Sequence, residues 1–297
     1  MAIKGRMWFG TRGQEVWVPT PAINPDYGRT GYSSGVSQGL NGLGFLRESK
    51  SAHNSYSLSW PVTKTRDAVR TITDFADGIF DTQDGVNLIY WIDPMAADKN
   101  VLCQGWATPS LAAEDGVPLV TDQNGYRRPK AVPTPPNVNR YPARSAEYVI
   151  NSTSVSVEQY VPIPPGYSAW VGIHGGALAQ DRIIVQRVNG FTELGAAVEP
   201  TVLAAADSTR VNSEFSSVDS AGIVLKFATV ASSITFTLYG LIVQILPTGQ
   251  APETGGFISG QGHSGCQFVG KPSKTPYSAK LDRVGMTARL EETGMGL

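Results

Sequence analysis

The chain has 297 residues, room for two domains of ordinary size, with 24 Lys+Arg against 25 Asp+Glu and a formal net charge of -1. So even a balance argues against nucleic acid as the main partner, because binding phosphates takes a clustered excess of Lys and Arg. Charged residues make up only 16% while Gly reaches 32 and Pro 20; few charges, many turn formers and many β-branched residues predict a mainly β protein.

In chain order, the start "MAIKGRMWFG" has no apolar run, so no secretory signal is expected. The first 50 residues are glycine-rich and poorly periodic, and "NPDYGRTGYSSGVSQGLNGLGF" reads as long loop or extended arm. "SYSLSWPV" then alternates, placing Tyr56, Leu58, Trp60 and Val62 on one side of a half-buried strand. Pro61 has no amide hydrogen, so that end cannot be paired fully on both edges. One helix follows, with Val69, Ile72, Ala76 and Ile79 at helical spacing beside Ala68 and Phe75. Thr65 is its N-cap candidate, Asp67 sits in the first turn and Gly78 can close it. Its apolar stripe must lie on a sheet. "VNLIYWID" (86–93) predicts a largely buried strand and "VLCQGWA" (101–107) another. Residues 116–145 are proline-rich and read as a linker or an arm lying over a neighbour. The short basic run "GYRRPK" there, Arg127, Arg128 and Lys130, reads as a solvated loop.

From 146 the pattern changes. Strands recur about every ten residues with Gly, Pro, Asn and Ser between, among them "RIIVQRV", "GIVLKFA" and "SITFTLYGLIVQIL", and predict an antiparallel sandwich or jelly roll closing near 246–252. The most apolar stretch, 234–246, is too short for the ~20 residues of a spanning helix, so no membrane insertion is expected. The tail 253–297 opens as glycine-rich loop and ends in a strand in which Val284, Met286, Ala288 and Leu290 alternate. The simplest topology makes the sandwich an insertion, with the tail packing on the N-terminal part.

Three stretches invite a chemical reading. In "GQGHSGC" a nucleophile elbow would need Gly-x-Ser-x-Gly on a strand-to-helix turn; here Cys266 stands where the second glycine belongs and a proline-broken strand pattern follows. Gly260, Gly262, His263, Ser264 and Gly265 therefore read as a structural turn, in which His263 and Ser264 hydrogen-bond loop backbone. The acidic "DFADGIFDTQDG" has apolar residues where a calcium loop wants oxygens, and reads as a helix end. Only two cysteines, Cys103 and Cys266, and three scattered histidines give no disulfide framework and no metal-ligand spacing, so no metal or cofactor is expected and the thiols suit a reducing cytosol. In "GYSAWVGIHGG", Tyr167, Trp170 and His174 are candidates for stacking on a sugar and bonding its hydroxyls; the other reading makes Trp170 sandwich core.

The tail "GFISGQGHSGCQFVGKPSKTPYSAKLDRVGMTARLEETG" and the segment "SLSWPVTKTRDAVRTITDFADGIFD…NLIYWIDP" resemble minor tail proteins of siphovirus-type phages of actinobacteria. The overall plan also resembles the distal tail protein of such phages. That resemblance implies a tail-tube-like β-rich belt, 1–145 plus 253–297, with one helix on its sheet. It also implies a projecting galectin-like or carbohydrate-module-like sandwich, 146–252. It further implies a non-catalytic ring at the virion tail tip, of six copies, made in the host cytoplasm; three copies would also suit a tail tip. Its partners would be itself, the tail tube and other tail-tip proteins, and a host cell-wall glycan.

Overall fold

The computed structural model describes residues 5–24, 29–30, 35–38, 44–47, 53–80, 88–108, 120–122, 125–127, 129–134, 144–156, 158–204, 209–228, 230–263, 265–278 and 283–292. The protein is mainly β, 49% strand with two α-helices among the described residues.

The chain begins with strands β1 (Arg6–Thr11), β2 (Val16–Pro19), β3 (Ala22–Asn24) and β4 (Arg29–Thr30), then a hairpin of β5 (Gly35–Gln38) and β6 (Gly44–Arg47). The expected loop or arm over the first 50 residues is thus partly strand. Met7, Phe9 and Val18 are buried, so the hairpin β1–β2 belongs to a core; its apolar runs are too short to stand out from sequence. The long strand β7 (His53–Thr65) leads directly into helix α1 (Arg66–Ala76), and β8 (Ile89–Ile92) follows. A sheet in the order β2-β1-β8-β22-β24-β7-β3 forms around them, completed by β22 (Cys266–Phe268) and β24 (Arg283–Glu292) from the returning tail, with β23 (Ser273–Ser278) on β24.

Alternation decides what each face of this sheet touches. Met7, Phe9, Leu58, Trp60, Ile89, Trp91, Met286, Ala288 and Leu290 face α1 and pack with its Val69, Ile72 and Phe75. Opposite Pro61 the ladder slips: Lys64 pairs Val284 and Trp60 pairs Met286, leaving three residues of β7 against Gly285 alone. This bulge absorbs the missing proline amide. The helix ends as a Schellman motif. Gly78 has φ +74°, its N–H donates to Phe75 O at 3.2 Å, and Ile79 N–H donates to Asp74 O at 3.0 Å. That turn leaves Ile79 65% exposed, outside the apolar stripe expected to include it.

The second predicted strand after the helix is absent. Residues 101–103 run as loop and α2 (Gln104–Ala107) is a single helical turn, which drives Trp106, 0% exposed, beside Phe227 of the sandwich. The proline-rich stretch is mostly strand among its described residues: β9 (Val120–Asp122) and β10 (Gly125–Arg127) form a hairpin, and β11 (Lys130–Pro133) pairs along β12 (Arg144–Ile150). Pro129 precedes β11 and Pro133 is its last residue, at a sheet edge where a missing donor costs little.

The remaining strands are β13 (Val155–Ser156), β14 (Gln159–Pro162), β15 (Tyr167–Gly175), β16 (Ile183–Asn189), β17 (Thr192–Glu193), β18 (Val202–Leu203), β19 (Ser213–Ser216), β20 (Gly222–Phe227) and β21 (Ile234–Pro247). They give a sheet β11-β12-β21-β15-β18, with β19 also on β15, and a second sheet β14-β20-β16-β17. Inward residues interleave as in a sandwich: Tyr148, Val171, Ile173 and Val243 from one sheet meet Val161, Val185, Ile223 and Leu225 from the other. At Tyr239 the β15–β21 register shifts, and the inward set of β21 changes from Phe236 and Leu238 to Leu241, Val243 and Ile245.

Candidate functional site

The glycine turn is a packing device. A Cβ on Gly262 would sit 1.8 Å from Val101 O and one on Gly260 2.5 Å from Leu102 O. Only glycine lets this strand of chain lie so close to the 100–103 loop, where Gln261 N–H donates to Asn100 O at 2.9 Å and Gly262 N–H to Leu102 O at 3.1 Å. His263 is 6% exposed; its ring stacks on Trp91 at 3.4 Å and its Nε2–H donates to Trp91 O at 2.9 Å. A carbonyl can only accept, so Nε2 carries the hydrogen and Nδ1 faces the Cys266 thiol at 3.7 Å. Burial, and then the nearby Glu292, push the Cys266 thiol well above its ordinary range, which holds it protonated. Glu292 in turn accepts from Tyr56 Oη at 3.3 Å. Gly265 packs against Leu88 and Tyr90; Ser264 lies outside the described residues. His263 thus bonds the backbone of strand β8, where the sequence reading expects loop backbone.

The sugar-stacking candidates do not converge. On β15 the odd positions face the core, so Tyr167 points inward, where its ring meets Trp17 at 6.0 Å. Trp170 and His174 lie on the opposite face. That face is covered: His174 is 2% exposed and bonds Arg210 O at 2.8 Å, while Arg210 Nε donates to Gly256 O at 3.0 Å. Trp170 is half-buried, with an Nε1 that has no partner among the described residues. It is not part of the sandwich's inner core.

What the structure does bring together is a junction between the N-terminal sheet and the sandwich. The face of the sheet turned away from α1 carries Trp8, Trp17, Tyr90 and Ile92, and these pack on the sandwich. The β1–β2 turn docks on the β16–β17 turn. Gly13, at φ +82°, approaches so closely that a Cβ would stand 2.6 Å from Gly190 Cα. Arg12 Nε donates to Gly190 O at 2.9 Å, and its guanidinium lies over Tyr160 at 5.0 Å and Phe191 at 4.6 Å. Beneath it Tyr160 Oη donates to Glu15 Oε1 at 2.6 Å, and Gly13 N–H donates to Glu15 Oε2 at 3.0 Å. Burial raises the Glu15 carboxyl above its ordinary 4.5, against the pull of these bonds and of Arg12.

A second lock lies on the free edge of β21. Asn100 is fully buried. Its Nδ2 donates to Leu241 O and Ile258 O, both at 2.9 Å; its Oδ1 accepts from Val243 N at 3.1 Å and Leu102 N at 3.2 Å. All four bonding positions of one carboxamide are used to tie the 97–102 loop, β21 and the returning tail. Asn100 and Glu15 were not singled out from the sequence. Each sits in a short polar turn, and their partners lie 141 and 145 residues away in the chain.

Among the described residues no three His, Cys, Asp or Glu side chains group as metal ligands would, and no helix is long and apolar enough to cross a membrane. No known protein family matches the chain, and neither a curated protein nor a solved structure does.

Proposed function

We propose that this chain is a structural component of a phage virion, a ring-forming minor or distal tail protein that joins the tail tube to the host-contacting apparatus. The observation that carries the reading is the woven junction. The tail supplies β22 and β24 to the interior of the N-terminal sheet, and Asn100 ties that same returning segment to β21. Strands supplied by the returning tail and a buried carboxamide tie the two halves by hydrogen bonds, which suits a part joined to a tube on one side and to an adhesion apparatus on the other. One helix on one face of a β sheet, with a sandwich on the other, fits the belt-plus-sandwich plan that the sequence resemblance implies. The belt would be 1–145 plus 253–297 and the sandwich 146–252, although residues 97–107 pack with the sandwich core. The role requires no catalysis and no cofactor.

The alternative, a peripheral tail protein whose sandwich binds host glycan through Tyr167, Trp170 and His174, gains nothing from side chains on opposite faces of β15. Native mass spectrometry over a range of concentrations tests the ring: closed hexamers or trimers support it, and a strict monomer at every concentration would shift the reading to the peripheral protein.

A further inference from the structure

At the rim of the junction an open groove of about 210 Å³ lies beside the 217–221 turn. Trp8, Ile163, Pro165, Leu194, Val218 and Asp219 line it. Trp8 offers it ring carbon, since its Nε1 is buried. The indole is held edge-on against Trp17 at 5.0 Å, and Trp17 in turn meets Tyr167 at 6.0 Å. Val218, at the rim, is 86% exposed. One wall is thus apolar and fixed, and the groove is open to a partner. Its volume is below the ~300 Å³ at which drug-sized pockets begin, so it takes one or two side chains of a longer molecule that continues over the surface.

The lining selects that molecule. An aromatic and aliphatic wall fits prolines, whose rings are apolar and whose extended backbone is already ordered, so that docking costs little conformational entropy. A polyproline backbone makes no internal hydrogen bonds and leaves its carbonyls free to accept. Two donors stand at the groove. One is the Asn189 carboxamide; the other is the Ser217 hydroxyl, whose oxygen accepts from Gly166 N–H at 3.0 Å and whose hydrogen is left to give. No Lys, Arg or His lines the groove while Asp219 does, which favours a cation beside the prolines. The chain itself carries such a segment. "PTPPNVNRYPAR" (133–144) places Pro133, Pro135 and Pro136 ahead of Arg140 and Arg144.

Residues 135–143 lie outside the described residues, but the strands on either side fix where the segment starts. Pro133 pairs Arg144, and two residues further along β12 Ala146 pairs Leu238 of β21. The groove lies beyond Tyr167, which pairs Pro247 at the far end of β21. About seven residues of β21, roughly 24 Å at about 3.4 Å each, separate the two levels. Pro136, three residues past Pro133, reaches at most about 11 Å. Its own groove is therefore out of range. We propose that the groove takes segment 133–144 of a second copy of this chain, with Pro135 and Pro136 against Trp8 and Arg140 beside Asp219. The proposal rests on the reading that copies associate, and it names the contact by which they do so.

Fluorescence polarisation of a labelled synthetic peptide, residues 130–144, titrated with the full chain tests it. The peptide should bind with a constant of about 1 mM or tighter. Binding should weaken about tenfold or more with Asp219→Ala or Val218→Lys in the chain, and with Pro135→Ala plus Pro136→Ala in the peptide. Val218 and Asp219 are exposed, so both variants keep the fold, checked by an unchanged thermal midpoint. No peptide binding, or binding that all these substitutions leave unchanged, would overturn the proposal. Native mass spectrometry of the same proteins separates it from the ring. A wild-type chain that associates, with association unmoved in both variants, overturns the groove and leaves the ring standing. A strict monomer that still binds the peptide, and loses it in both variants, supports the groove and counts against the ring.

Discussion

Asn100 and Val243 face each other edge to edge: Asn100 Oδ1 accepts the Val243 amide at 3.1 Å, and Val243 O accepts the neighbouring Val101 amide at 2.9 Å. With Ile245 N–H donating to Ala97 O at 2.6 Å, this makes the 97–102 loop a surrogate strand along the half of β21 that β12 does not reach.

Asn100→Ala should therefore destabilise by about 3 kcal/mol, because it leaves two buried amides and the carbonyls of Leu241 and Ile258 short of a partner. The urea midpoint should fall at unchanged slope. Asn100→Asp keeps the acceptors but sets a carboxylate against the carbonyls of Leu241 and Ile258, and should cost at least as much. A midpoint unchanged in Asn100→Ala would remove the lock.

The glycine turn predicts an ordered pair of costs. Gly262→Ala drives a methyl into the backbone of Val101 and should cost at least about 2 kcal/mol. Gly270 has φ +74° but open space around it, so Gly270→Ala should cost only the left-handed strain of about 1 kcal/mol. The reverse order in thermal melts would mean that the tail does not lie against the 100–103 loop.

Glu15 predicts a pH dependence. Its folded pKa is raised above 4.5, so the folded chain holds that proton more tightly than the unfolded chain does. Its contribution is full below 4.5 and is lost as pH rises through the raised value. Asp93, raised from 3.8 by burial, slopes the same way, so the Glu15 share is the difference between wild type and Glu15→Gln. The variant should lose stability less steeply above pH 4.5, measured as the urea midpoint against pH. Tyr160→Phe removes a donor to the carboxylate and should cost about 1.5–3 kcal/mol, more near pH 7 than near pH 4. Parallel curves for wild type and Glu15→Gln would place Glu15 outside the junction.

The Cys266 thiol, buried and held protonated against His263, should resist modification. At pH 8 the folded chain should show negligible Cys266 labelling by iodoacetamide, read by peptide mass mapping, with full labelling in urea. Fast labelling of Cys266 in the folded chain would mean an activated thiol and revive a nucleophile at this turn.

Much of the fold was legible because it rests on local pattern. The alternation of Leu58, Trp60, Met286, Ala288 and Leu290 and the helical stripe of Val69, Ile72 and Phe75 each declare one buried face. Gly78 at the helix end declares its own cap. The errors fall where both faces of an element are covered or where a neighbour supplies the order. Trp8 and Phe9 of β1 are apolar in succession because one meets the sandwich and the other meets α1, so no period shows. "VLCQGWA" is apolar enough for a strand, yet the Val101, Asn100 and Ala97 bonds to β21 fix it as loop before one helical turn. Tyr167 and Trp170 look adjacent in sequence, but their odd separation in a strand puts them on opposite faces. The Asn100 and Glu15 locks depend on partners 141 and 145 residues away, which no local pattern encodes.

We propose that the chain is part of a virion tail tip. The most direct test is immunogold electron microscopy of washed phage particles, using antibody raised against the purified chain. Gold confined to the distal end of the tail is the expected result. Particles that carry no label while the soluble lysate retains the antigen would contradict it.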